Sequence, residues 1–213
     1  NNVEAMRLEA AWNQLQYHHP MLRACFTEDG RQKIQERPFS EKMSVNDFSD
    51  MTEKEAYKKA EKVRERLSHR KLQIEKGEVA GIELTLFPSG KTRIHMDLLI
   101  ADVQSLQILL KDLAAAYNGK KLPEESKDWN FAAYLERQAV NDKKEKEKAK
   151  DYWRKRLDTL PKGPELPLAK RPEEVEKTVF HRRIVRIEKK EWEELQSKAK
   201  EYQTTPAMLL LTA

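Results

Sequence analysis

Apolar residues recur along this chain in two rhythms, and the change from one to the other falls within a single stretch, residues 94–107 (IHMDLLIADVQSLQ). Before the change, Ile94, Met96, Leu98 and Ile100 share one face at period two while Arg93, His95 and Asp97 face the other way, which predicts a half-buried strand ending near Asp97. After it, Leu106, Leu109, Leu110, Leu113 and Tyr117 repeat at helical spacing until Asn118-Gly119 supplies a left-handed stop. The helix is predicted to begin between Asp102 and Ser105. Ile82, Leu84 and Leu86 alternate in the same way up to a turn at Pro88-Ser89-Gly90, so the strand carrying Asp97 is half of a hairpin.

The same two periods organise the remainder. Ala5, Leu8, Trp12 and Leu15 mark a first helix that His19-Pro20 stops, because the residue before proline is pushed out of the helical region. Met21 to Thr27 reads as a strand, Glu28-Asp29-Gly30 as a turn and Arg31 to Glu36 as the return. Thr52 and Glu55 form a capping box before the narrow stripe Ala56, Ala60, Val63 and Leu67. Asp128 is placed to cap a long charged helix from Trp129 and Phe131 towards Trp153 and Leu157. A proline-rich strap over 160–172 cannot be helical, Thr178 to Ile187 is strand-like, and Glu188 to Tyr202 is an amphipathic helix with Trp192, Leu195 and Ala199 inward. Thr205 and Pro206 then open a short apolar helix over 205–213. The expected class is α/β, an α+β sandwich in one lobe, with the chain truncated at both ends.

Composition narrows the function classes. Of 213 residues 36% are charged, and the 41 basic and 36 acidic side chains are interspersed rather than in blocks, so the net charge of +5 argues against nucleic-acid binding. The single cysteine, Cys25, lies in an apolar run with no metal-ligand spacing and reads as a buried small hydrophobe. With no signal peptide and no apolar stretch of membrane length, a cytoplasmic protein without membrane association is expected.

The candidate chemistry lies at the switch in rhythm, in the spacing Asp97-x-x-x-x-Asp102-x-x-Ser105. Asp102 or Ser105 can simply cap the helix, with Asp97 a polar strand end. Alternatively both carboxylates are functional. Five positions apart in extended chain they face opposite ways, so they do not form an acid/base pair on one bond; one would face a cleft and the other anchor the backbone. A Mg²⁺ or Ca²⁺ site is a poor third reading, since such ions take about six or more oxygens and Leu98-Leu99-Ile100-Ala101 offers little.

Four signatures together resemble the N-terminal lobe of a heterocyclization domain of a nonribosomal peptide synthetase, a variant of the condensation domains. They are His19-Pro20-Met21-Leu22-Arg23 followed by Asp29-Gly30-Arg31-Gln32, then Asp97 through Ser105, the strap from Leu160 to Leu168, and Thr205-Pro206. The resemblance implies a lobe like half of a chloramphenicol-acetyltransferase pair. Ordinary condensation domains carry two adjacent histidines at the central motif; here Asp97 and Leu98 stand in their places, and Asp102 stands where their aspartate does. It further implies Asp97 as the residue tied to the reaction channel and to catalysis. Asp102, Arg23 and Ser105 would then be structural positions of the active site, with Arg23 the partner of Asp102.

The implied reaction joins a carrier-bound acyl group to carrier-bound cysteine, serine or threonine and cyclodehydrates the product to a thiazoline or oxazoline. No metal and no cofactor of its own would be needed, because substrates arrive on phosphopantetheine arms. The implied partners are donor and acceptor carrier domains, an adenylation domain and the lobe's own C-terminal counterpart. In relatives that counterpart bears residues tied to ring formation, so the chain alone is expected to be inactive. A non-catalytic carrier-docking lobe and an ordinary condensation-type acyltransferase are the alternatives.

Overall fold

The computed structural model describes residues 3–124, 130–163, 167–176, 179 and 183–212. They divide into two compact units, 1–167 and 168–213.

In the first unit, α1 (Ala5–His18) buries Leu8, Ala11, Trp12, Leu15 and Gln16, and ends where expected. Pro20 then starts a 3-10 turn (Pro20–Arg23), its fixed φ favouring a first helical position. The strand expected from Met21 is therefore shortened to β1 (Ala24–Phe26), which pairs antiparallel with β2 (Gln32–Ile34) across the turn at Gly30, where φ is 75°. Cys25 is buried, as its apolar neighbours suggested.

A three-stranded sheet in the order β3-β4-β5 forms the centre. The strand β3 (Ser44–Asp47) had no clear periodic signal, being short and largely exposed. It runs parallel to β4 (Ala80–Leu86), and α2 (Glu53–Ser68), opened by the Thr52–Glu55 capping box, makes the crossover between them. An antiparallel partner, β5 (Thr92–Leu98), places Leu84 opposite Ile94 and Ile82 opposite Met96 on one face, and Gly81 opposite Asp97, Glu83 opposite His95 and Thr85 opposite Arg93 on the other.

The two faces differ in chemistry. The apolar one joins α1 and α3 (Val103–Tyr117) in a core that includes Leu8, Trp12, Leu15, Leu22, Leu84, Leu109 and Leu113. Leu15, Leu22 and Leu84 are essentially inaccessible, so cutting any one to alanine costs about 2–5 kcal/mol. The polar face is tied to α2 and the residues just after it by ion pairs of Arg66 with Glu83, Arg93 with Glu61 and Arg70 with Asp97. Leu110, expected inward on α3, is exposed, and Asp112 is buried in its stead.

The long helix α4 spans Phe131–Arg154, with Asn130 as its cap: the Asn130 side-chain oxygen accepts from the Ala133 N–H at 2.9 Å. The proposed cap Asp128, with Trp129, lies outside the described residues. A 3-10 turn at Leu157–Thr159 leads into the strap, which has no regular structure over 161–163 and 167–168.

The second unit holds α5 (Lys189–Glu201) and α6 (Pro206–Thr212). Ala199 is buried as expected, but Trp192 is exposed, and the described part of the strand-like stretch, residues 179 and 183–187, is not strand. The Thr205 hydroxyl accepts from the Met208 N–H at 3.3 Å, so the last helix opens as its sequence indicated. No described helix is long and apolar enough to cross a membrane.

Candidate functional site

Two separated signatures converge on one cavity of about 700 Å³. His19, Pro20, Met21 and Leu22 line one side and Leu99 through Asp102 with Ser105 another, while Phe26, Ile108 and Phe131 add apolar surface. The convergence follows from topology, because α1 lies against α3 and the turn after α1 therefore lies beside the start of α3. The wall is mostly apolar, with a few polar groups at Asp102, Ser105, Gln32 and His19, the character of a ligand pocket.

Asp102 is the N-cap of α3, and its carboxylate accepts the Ser105 backbone N–H at 2.8 Å. That bond, a further one from the Ser105 side chain and the first-turn amides hold its pKa below the ordinary aspartate value. Capping and cavity lining are thus both done by this one exposed side chain.

Arg23 does not supply its partner. Its guanidinium donates to three backbone carbonyls, those of Gln16 at 2.9 Å, Gln35 at 2.7 Å and Tyr17 at 3.3 Å, and lies over the Tyr17 ring. The expected Arg23–Asp102 ion pair is replaced by a cation that ties the end of α1 to the end of β2 and a carboxylate satisfied by its own helix.

Asp97 lines a cleft too, but not the cavity that Asp102 borders. On the polar face of the sheet, it lines a smaller cavity of about 190 Å³ with Glu83, His95, Gly81 and Glu78. Arg70 donates to it and also pairs with Glu78 at 3.1 Å. One cation is therefore shared by two carboxylates, and Asp97 is ion-paired rather than open to the larger cavity. Next to it His95, within 3.3 Å of the Thr85 hydroxyl, has its pKa lowered by burial and then by Arg93.

Of two further site residues, His19 was marked only as part of a motif and Asp112 was not marked at all. His19 lines the larger cavity and its Nε2 lies 2.9 Å from Asp112 Oδ2. A signal for Asp112 was present, a carboxylate three positions after Leu109 and next to Leu113 on the apolar side of α3. Nothing in the spacing joined it to a histidine 93 positions away.

Comparison with known proteins agrees with this architecture. The model of the condensation domain family matches residues 1–213, and the chain belongs to that family. It is 38% identical over 176 residues to pyochelin synthetase PchE of Pseudomonas aeruginosa, covering 82% of this chain and 12% of that protein. It is also 34% identical over 174 residues to phenyloxazoline synthase MbtB of a Mycobacterium species, covering 81% of this chain and 14% of that one. The chain thus spans about an eighth of these relatives' length. Among solved structures, the cyclization-docking bidomain of EpoB from Sorangium cellulosum superposes with a TM-score of 0.78 at 23% identity, over 99% of this chain and 43% of that one. The nonribosomal peptide synthetase FmoA3 superposes with a TM-score of 0.71 at 28% identity, over 99% of this chain and 22% of that one.

Proposed function

We propose that this condensation-family chain is one lobe of a heterocyclization domain, acting with a second lobe on acyl and aminoacyl groups held on carrier domains. The observation that carries the reading is the segment from Asp97 to Ser105. It has no histidine where ordinary condensation domains have two, and its Asp102 and Ser105 line the larger cavity. The names of the relatives PchE and MbtB, a pyochelin synthetase and a phenyloxazoline synthase, support it.

The chemistry runs in two stages. An amine on a carrier-bound cysteine, serine or threonine attacks an acyl thioester, forming the amide and releasing the donor thiol. The acceptor's side-chain thiol or hydroxyl then attacks the new amide carbonyl, and the hydroxylated ring expels water as a C=N bond forms. Confinement of two thioester arms in an apolar cavity converts a bimolecular encounter into a local one. Expelling hydroxide calls for a placed acid. Within this scheme Asp102 shapes the cavity wall. Asp97 is a positioning residue, holding through Arg70 the end of β5 from which Leu99 to Asp102 enter the cavity.

The test uses the full synthetase with loaded donor carrier and an acceptor carrier bearing cysteine, serine or threonine, read by mass spectrometry. Product lighter than the linear amide by one water is expected for at least one acceptor. Linear amide alone for all three would return the chain to the ordinary condensation class, and no amide at all would support a docking lobe.

A further inference from the structure

We infer that His18, His19 and Asp112 form a binding site for a divalent transition-metal ion of the zinc class, tying the end of α1 to the middle of α3. The inference does not rest on the proposed function. One ligand atom of each of the three residues lies within 4.8 Å of those of the others. His18 is the last residue of α1, and His19, its C-cap, leaves the helical region at φ −98° and ψ 103°, with the two rings edge to face at 4.7 Å. Asp112 comes from the third turn of α3 and is 8% exposed, between Leu109 and Leu113.

The donor set selects the ion. Two imidazole nitrogens and one carboxylate oxygen suit Zn²⁺, Co²⁺ or Ni²⁺, whereas Mg²⁺ and Ca²⁺ require a shell of oxygens. Tetrahedral zinc with bonds near 2.0–2.1 Å spaces its ligands by about 3.4 Å. The His19–Asp112 pair at 2.9 Å is already close to this, and no two of the three ligand atoms are more than 4.8 Å apart, so the set has to draw in by about 1.4 Å at most. The histidines are consecutive at the end of α1 and the carboxylate is on α3, which packs against it, so the three donors are carried by elements of one core. Three protein ligands leave a coordination position for water, and since His19 lines the larger cavity, the ion would sit at its wall.

Cobalt is the probe, because its visible absorption reports coordination geometry. The chelator-treated protein carrying this chain should develop the bands of four- or five-coordinate Co²⁺ with one equivalent of the metal, and Zn²⁺ should displace them. His18→Gln and Asp112→Asn should each lose that equivalent or weaken it about tenfold or more, while His69→Gln, on the C-cap of α2, should not. His18→Gln is the decisive variant, since His18 is half-buried, outside the apolar core, and its ring packs on His19; its near-ultraviolet circular dichroism should match the wild type. Absence of a saturable cobalt spectrum, or full affinity retained in His18→Gln, would overturn the proposal.

Discussion

Asp97 and Asp102 are separated by four residues of one continuous segment, yet they meet opposite surroundings. Asp97, half-buried on the polar face of the sheet, depends on a cation that comes from beyond the end of α2. Asp102 is exposed, depends on amides of its own helix, and borders the apolar cavity. The first is a long-range arrangement, which fails if any of several elements moves, and the second is local, rebuilt whenever α3 forms. Spacing in sequence therefore says little about shared function; β5 ends between the two, and the face each side chain takes is set by strand parity for one and by helix capping for the other.

Between the two aspartates, the larger effect should come from breaking the shared cation. Arg70→Met leaves Glu78 and Asp97 without it in a partly dry site, and a loss of about 2 kcal/mol is expected, less than for a fully buried pair because all three side chains keep some contact with water. Asp97→Ala should cost less, since Arg70 keeps Glu78. Asp102→Ala should cost least, as helix caps on an exposed surface do, and Asp102→Asn should recover most of it. Urea denaturation of the four variants sets the order. This reverses the order that an Arg23–Asp102 pair would give, and an Asp102→Ala loss exceeding that of Arg70→Met would restore the latter.

Much of the frame was legible because it is periodic or local. The alternation of Ile82 and Leu84 with Ile94 and Met96, the Thr52–Glu55 capping box, the turn at Gly30 and the stop at Asn118-Gly119 each depend on neighbours within a few residues. The partners of the candidate site do not. Arg70 lies 27 positions from Asp97, and the main-chain carbonyls that Arg23 meets, in place of the expected Asp102, carry no mark in the sequence, since every residue has one. The β3 strand escaped for a related reason: an exposed four-residue segment gains its conformation from pairing with β4 rather than from its own pattern.

A smaller effect distinguishes the two regions by pH. Burial, helped by Arg93 and Arg66 and opposed by Glu83 and Asp97, lowers the pKa of His95 below the ordinary histidine value near 6.5. The unfolded chain then binds the proton more readily than the folded one. Stability is full above about pH 6.5 and falls as pH drops from there to the folded pKa. His95→Gln should flatten that limb in a series of thermal melts, the difference from wild type being confined to this window. An unchanged slope in the variant would assign the acid response to another group.

The smallest expected effect lies at Asp102. Its carboxylate has a folded pKa below the unfolded value of about 3.9, owing to the Ser105 N–H and side chain. The sign is the usual one for an acid: the stabilisation is present above the unfolded pKa and is lost as pH falls through the folded one. Comparing wild type with Asp102→Asn isolates the charge, because asparagine keeps a capping oxygen but gives up the interaction of an anion with the positive end of α3. The difference in Tm should be constant from pH 7 down to about pH 4 and vanish only below it. It should also be the same in a His95→Gln background, since the two residues line separate cavities with no lining residue in common. A difference that begins to shrink near pH 6 would mean that Asp102 titrates with the His95 face, and the separation of the two regions would not hold.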